Sequence, residues 1–397
     1  MPAQIEEPSS PAAGGFALFA LGFRPFFLLA GLSALVLIPL WVAAWSGALA
    51  PPDHFGGPSL WHGHEMLHGY LTAVLAGFLL TAVRNWTGIQ TLNGAPLAGL
   101  AMLWLAARLA PWLPLPTGLV ALIDLLPAPL LALAILLPIH RKRQKNNYLF
   151  PLLLLLLAVG NLMIHLEALD ITQTARAGTT LSIYTILAII IAMGGRVIPF
   201  FIERGAPGGA TTRSWPWIER LALPSVALLG AVEVADPAGP ATTLFGLLTA
   251  AIHAIRLAGW WTPKLLRVSL LWVLFTGYAW IVAGLLLTAL ATPLGLPWLI
   301  ALHGLMAGGM AVITLGMMAR VAIGHTGRQM RVGPVVTIAF ALVNLAALSR
   351  VIAPLLAADR YTTWIHLAAG LWTLAFLLFV VVYAPILIRP RVDGRPG

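Results

Sequence analysis

Residues 149–164 read LFPLLLLLLAVGNLMI, a run with no charged side chain and no alternation of apolar with polar positions. A stretch of this kind belongs in hydrocarbon, where every backbone N–H and C=O must find a partner within the protein. Only helices and closed β-barrels achieve that. A barrel strand would alternate from residue to residue. A continuous apolar run of about 20 residues instead matches the length of a membrane-crossing helix. Working outward, similar runs bounded by turn residues and charges give approximate spans 25–49, 62–83, 95–113, 117–139, 148–169, 178–201, 218–235, 240–258, 267–291, 298–320, 332–356 and 362–388. The seventh is the weakest, because Pro224, Glu233 and Asp236 interrupt it. The expected fold is all-α, a polytopic transmembrane bundle of about twelve helices.

Composition agrees. Of 397 residues, 60% are hydrophobic and only 9% are charged, with a mean hydropathy of +0.92. A soluble domain carries roughly 25% charged residues because its surface faces water. The net charge of +10 would suit a nucleic-acid binder, but its distribution follows membrane topology. With twelve spans, 18 basic residues fall on the side of both termini and only Arg108, Arg176, Arg350 and Arg360 on the other. By the positive-inside rule both termini are cytoplasmic, and no nucleic-acid partner is expected. The first 23 residues hold Glu6 and Glu7 but no Lys or Arg, so they lack the basic start of a signal peptide. The expected organisation is a short disordered tail at 1–22, one transmembrane domain at 23–389 and a cytoplasmic tail at 390–397.

The chain has no cysteine. Disulfides, iron–sulfur clusters and thiolate-bound metals are therefore excluded, and any metal must rely on His, Met, carboxylate or backbone oxygen. Ionisable groups within membrane spans are costly and mark functional sites. Six of the ten histidines, His62, His64, His68, His165, His303 and His366, map to one depth toward the outer face. His253 and His325 map toward the inner side, and His54 and His140 to loops.

Two helices show internal similarity. His64, Gly69, Gly77, Thr87, Gly88 and Gln90 reappear in the same spacing as His303, Gly308, Gly316, Thr326, Gly327 and Gln329. Such a pair of helices would present histidines at equal depth, the geometry of bis-histidine haem ligation.

His64-Glu65-Met66-Leu67-His68 also matches HExxH, in which two histidines one helical turn apart hold zinc and the glutamate acts as general base. That pattern offers an alternative function, an intramembrane zinc metalloprotease using residues 64–68. It lacks an evident third ligand. Gly194-Gly195 and Gly308-Gly309 are expected to allow close helix packing.

Longer strings then become distinctive. Phe23-Arg24-Pro25-Phe26-Phe27 is followed by Trp61-His62-Gly63-His64-Glu65-Met66 and by Asn85-Trp86-Thr87-Gly88. Later come Gly194-Gly195-Arg196-Val197-Ile198-Pro199-Phe200-Phe201, His253-Ala254-Ile255-Arg256-Leu257, and Met318-Ala319-Arg320-Val321-Ala322-Ile323-Gly324-His325-Thr326-Gly327-Arg328. In this order they resemble the NnrS family of bacterial membrane proteins.

The resemblance implies a haem- and copper-containing protein of the bacterial inner (cytoplasmic) membrane, tied to nitric oxide metabolism and protection against nitrosative stress. It places the family's histidines on His62, His64, His253, His303 and His325, with His165 at a looser match. His68 is particular to this chain. The resulting expectation is haem b held by His64 and His303, with Arg108 and Arg350 on its propionates, in an arrangement like that of haem–copper oxidases. Copper would use His62 with His165 or His68, or the pair His253 and His325. Nitric oxide is then the small-molecule ligand. Turnover would make the protein an oxidoreductase acting on nitric oxide or its iron adducts, with electrons from quinol or a redox partner protein. A non-catalytic haem-based sensor or a transporter is the alternative.

Overall fold

The computed structural model describes residues 15–395, and among them there is no β-strand. Twelve long helices run in chain order: α1 Phe23–Trp45, α2 Pro58–Thr87, α3 Gly94–Leu109, α4 Thr117–Arg141, α5 Leu149–Ala168, α6 Ala175–Gly205, α7 Pro216–Ala235, α8 Pro240–Gly259, α9 Ser269–Ala291, α10 Trp298–His325, α11 Pro334–Val351 and α12 Tyr361–Ile388. Eleven are long and apolar enough to cross a membrane; α7, the span that Pro224 and Glu233 interrupt, is not among them.

Helix boundaries follow local chemistry. α2, α7, α8 and α11 begin with proline, whose fixed φ and missing N–H suit the first helical turn. The C-terminus of α2 is closed by Gly88 at φ 67°, a left-handed conformation that glycine adopts without strain. Two spans are not uniform. α2 widens into a π-helical segment at Glu65–Leu71, and α10 does the same at Gly304–Met310. Such wide turns are rare and cluster at functional sites.

α5 separates an exposed apolar face from a buried one. On α5, Leu152, Leu155, Val159 and Leu162 are exposed at helical spacing, while Leu154, Leu157, Asn161 and His165 are buried on the opposite side. The polar residues thus point inward. α2 and α10 are the most enclosed spans, with 83% and 72% of their most apolar stretches buried.

Contacts group the chain into two units. The first comprises residues up to Ser182 with 318–331 and the segment from Phe376 onward; the second comprises 183–317 and 332–375. Most of the segment expected to be a disordered tail, residues 1–14, lies outside the described residues. Residues 15–22 form a turn in which Ala17 and Leu21 are buried, and the Ala17 N–H donates to the Ile388 carbonyl at 2.8 Å. At the other end the Val392 N–H donates to the Thr326 carbonyl at 3.1 Å.

Helix contact within the first unit depends on missing side chains, as is usual where lipid gives no hydrophobic drive to association. At the α5–α6 crossing, a Cβ on Gly178 would lie 2.5 Å from the Gly160 carbonyl oxygen and 2.8 Å from Met163 Cβ. Gly178→Ala is expected to cost about 1–3 kcal/mol through overpacking, read as a lower midpoint of thermal unfolding in detergent. Gly99→Ala is the control, since a Cβ there meets nothing within 4 Å, and it should leave the midpoint unchanged.

Candidate metal centre

The first unit encloses a polar cluster that hydrocarbon-facing helices would not tolerate on their outer surfaces. α2 supplies His64 and Glu65, α3 Arg108, α4 Asp124 and α5 Asn161 and His165, all buried or nearly so. The loop before α2 adds His54.

Asp124 Oδ2 is the hub. His64 Nε2 lies 2.9 Å from it, His165 Nε2 2.8 Å, and Asn161 Nδ2 donates to it at 2.8 Å. His64 Nε2 also meets Asn161 Oδ1 at 2.9 Å. The other nitrogen of each imidazole has its own partner. His64 Nδ1 is 3.2 Å from Glu65 Oε1, and His165 Nδ1 is 2.9 Å from His54 Nε2. Arg108 binds the carboxylates of both Glu65, at 2.9 Å, and Asp124. Phe55 stacks on the His64 ring with centroids 4.2 Å apart.

Charge accounting explains why the cluster survives burial. Glu65 and Asp124 bring two negative charges, and Arg108 returns one positive charge. The remaining charge must be met by a proton within the cluster or by a bound cation, because an uncompensated buried charge is far costlier than a paired one.

The chemistry of the donor set fits a metal ion. One ligand atom each from His64, Asp124 and His165 lies within 4.8 Å of the other two, and all three residues are buried. Tetrahedral donors about 2.0–2.1 Å from a metal stand roughly 3.3 Å apart, so the observed 2.8–2.9 Å contacts need only a small spreading. Metal-binding histidines usually donate their second ring N–H to a carboxylate or another acceptor, which fixes tautomer and orientation. Glu65 takes that position for His64, and His54 for His165. His54 lies outside the spans, and burial together with the neighbouring His165 and His64 pushes its imidazole down to about 4. It is therefore neutral at pH 7 and can accept this bond.

The other residues expected from the sequence have partners of their own. His62 stacks on Trp41 at 4.6 Å. His68 Nε2 faces Ser182 Oγ at 3.2 Å, and Glu65 is committed to Arg108 and His64. The two histidines of HExxH lie side by side, with ring centroids 5.0 Å apart, while the glutamate between them is held in an ion pair. His325 lies against Phe23 with ring centroids 5.8 Å apart. Arg108, expected at a propionate, is neutralised by Glu65 and Asp124.

His253, His303 and Arg350 belong to the second unit. The His253 Nε2–H donates to the Ala222 carbonyl at 3.1 Å, and Tyr278 OH donates to Nδ1 at 2.6 Å. The His303 Nδ1–H donates to the Leu299 carbonyl at 2.7 Å.

A family model described as NnrS protein matches residues 17–391. The chain belongs to the NnrS family. No curated protein matches it. NnrS membership, eleven candidate spans and an all-helical architecture make this a polytopic membrane protein of a family linked to nitric oxide. Its fold carries a buried His/Asp/His cluster in the first unit.

Three members of this centre are missing from the candidates read in the sequence. Asp124 is an acid in the otherwise uncharged run 117–139, itself a signal of an interior site. Asn161 is the corresponding polar residue in the run that begins at Leu149. His54 carries no such signal, because nothing in its loop announces that it folds back onto α5.

Proposed function

We propose that this NnrS protein is a metalloprotein of the bacterial inner membrane, with both termini cytoplasmic, that binds nitric oxide at a copper centre held by His64, His165 and Asp124. The observation that carries this reading is the convergence of two imidazoles on one carboxylate, each imidazole anchored through its second nitrogen. Two nitrogens and one oxygen suit copper among the divalent ions that imidazole binds. Three protein ligands leave a position open, and an open-site copper ion binds nitric oxide directly. Around it, Arg108 holds Glu65 and Asp124 in place. Asn161 orients Asp124 through its amide, and Phe55 covers the His64 ring.

Haem b is the second element of the reading, with His303 as an axial ligand. Its Nδ1–H is tied to the Leu299 carbonyl, which fixes the tautomer and orients the ring. His253 has no place in either centre, since both its nitrogens are taken within the protein. The zinc-protease alternative loses its general base to the Arg108 ion pair.

Metal analysis and nitric oxide titration of detergent-purified protein test this function. About one copper per chain is expected, with an optical or paramagnetic change on adding nitric oxide. Both should fall at least about tenfold in His64→Ala and His165→Ala and persist in His253→Gln. Loss of nitric oxide on adding quinol would make the protein an oxidoreductase. A saturating change without loss would make it a sensor or carrier. Stoichiometric zinc with no response to nitric oxide would overturn the proposal.

A further inference from the structure

At the end of the first unit where α1 begins and α2, α10 and α12 finish, arginines gather from four helices. Arg24 lies in the first turn of α1 and Arg84 in the last turn of α2; Arg328 follows α10, and Arg389 and Arg391 follow α12. Hydrogen bonds tie these segments into one patch around His325. Arg24 Nη1 donates to the carbonyls of Leu387 at 3.0 Å and Arg389 at 2.7 Å. Arg391 Nη1 donates to the His325 carbonyl at 3.0 Å, and Arg328 Nη1 to the Thr326 carbonyl at 3.5 Å. The Asn85 amide donates to His325 Nε2 at 3.5 Å, and the His325 ring lies against Phe23. The imidazole stands within electrostatic reach of Arg24, Arg84 and Arg391 at once. Arg328, outside the spans, is held below the usual arginine range by burial and by the Arg389 charge beside it.

The bias of basic residues toward one side of a membrane accounts for an exposed arginine such as Arg389. It does not account for Arg24 and Arg84, which are 0% and 7% exposed. Carbonyls satisfy guanidinium donors without cancelling their charge, and buried charge is costly unless an opposite charge answers it. Asp393 is the only acid at this end among the described residues of the unit. Arg391 already holds both its oxygens, at 2.9 and 2.5 Å. The C-termini of α2, α10 and α12 converge here, each equivalent to roughly half a negative charge. Against the five guanidiniums, these leave a surplus of about two to three positive charges.

We propose that this patch is a binding site for a phosphate group, carried by an anionic membrane lipid or free in solution. A phosphate brings about one to two negative charges, close to the surplus, and arginines grip its oxygens through parallel N–H bonds. The patch sits where spans end, the level at which lipid headgroups lie. Arg328 and His325 are half-buried at its rim, open both to a headgroup and to a free ion, while Arg24 and Arg84 supply charge from deeper in the unit. Bound there, the phosphate fastens the ends of α1, α2, α10 and α12 to one another. The proposal is independent of the copper and haem readings.

The test is thermal unfolding of delipidated protein in detergent, in sodium phosphate and in sodium chloride of equal ionic strength. Titrations with short-chain phosphatidylglycerol and phosphatidylcholine accompany it. Phosphate or phosphatidylglycerol should raise the unfolding midpoint, and chloride and phosphatidylcholine should not. Phosphatidylglycerol binding at least about tenfold more tightly than inorganic phosphate identifies a lipid as the source; equal or weaker binding identifies the free ion. Arg328→Gln should weaken the bound species about tenfold, the effect of one charge-assisted hydrogen bond. Arg328 is the residue to change because Arg24 also caps α12, so that its loss would weaken the fold itself. Arg220→Gln, at an exposed arginine of the second unit, should change nothing. A Glu6→Gln/Glu7→Gln variant should bind as the unaltered protein does. Affinity gained only in that variant would make the chain's own acids the occupant and overturn the proposal. So would a midpoint raised by neither phosphate nor phosphatidylglycerol, or equal effects of Arg328→Gln and Arg220→Gln.

Discussion

Arg108→Leu is expected to cost about 3–5 kcal/mol of stability, because breaking a buried ion pair from one side strands the other charges. The side chains of Glu65 and Asp124 are only 2% and 1% exposed, and Arg108 is the guanidinium that binds both. Without it, two carboxylates face each other in a low-dielectric interior, with only imidazoles and an amide for company. The double variant Arg108→Leu/Glu65→Leu separates charge from packing. It removes one cation and one anion together, and replacing a buried pair by apolar side chains is often neutral. Most of the lost stability should therefore return, with a coupling between the two sites of order 2–3 kcal/mol. The same accounting links stability to the proposed ligand. A divalent cation would neutralise the stranded carboxylates, so added copper should raise the unfolding midpoint of Arg108→Leu more than that of the unaltered protein. Equal instability of the single and double variants would mean that Arg108 acts through packing alone.

How far the sequence reveals this centre depends on the kind of signal each residue leaves. The helices were legible because a membrane leaves little choice: runs such as 149–164 can only be helical. Their order and eleven of the twelve spans follow from apolar length alone. His64 and His165 could be placed at one depth, since depth follows from position along a span. Their shared partner could not be found that way. Asp124 sits on α4, and which face of α4 turns toward α2 and α5 is set by packing, not by periodicity in an apolar run. The π-helical segments were equally hidden. A wide turn needs one extra residue within a helix, and Gly69 or Gly308 permits it without announcing it.

His253 illustrates the opposite difficulty, a histidine that resemblance marks and geometry employs differently. It belongs to a closed network in the second unit. Tyr278 donates to it, and the Arg256 Nη1 donates in turn to the Tyr278 oxygen at 3.1 Å and to the Ile191 carbonyl at 3.2 Å. The rest of the guanidinium engages both oxygens of Glu219. One arginine thereby ties α8 to α6, α7 and α9. The close approach expected at Gly194-Gly195 is made by this side chain, since a Cβ on Gly195 would collide with it.

Arg256→Leu is accordingly expected to cost about 2–3 kcal/mol. It removes the donor to the Ile191 carbonyl and to the Tyr278 oxygen, two hydrogen bonds worth about 1–1.5 kcal/mol each. It stays below the Arg108 figure because the Glu219 side chain is one-third exposed and can take up water. Arg256→Lys should recover little, since a single ammonium cannot reproduce a planar fork that grips a carboxylate while reaching two further oxygens. Copper content distinguishes this network from the metal centre. Arg256→Leu should retain the metal in its folded fraction, whereas Asp124→Asn should lose it with a smaller change in unfolding midpoint. If Arg256→Leu instead lost copper as completely as Asp124→Asn while still folded, the network around His253 would have to be counted among the metal-holding parts of the protein.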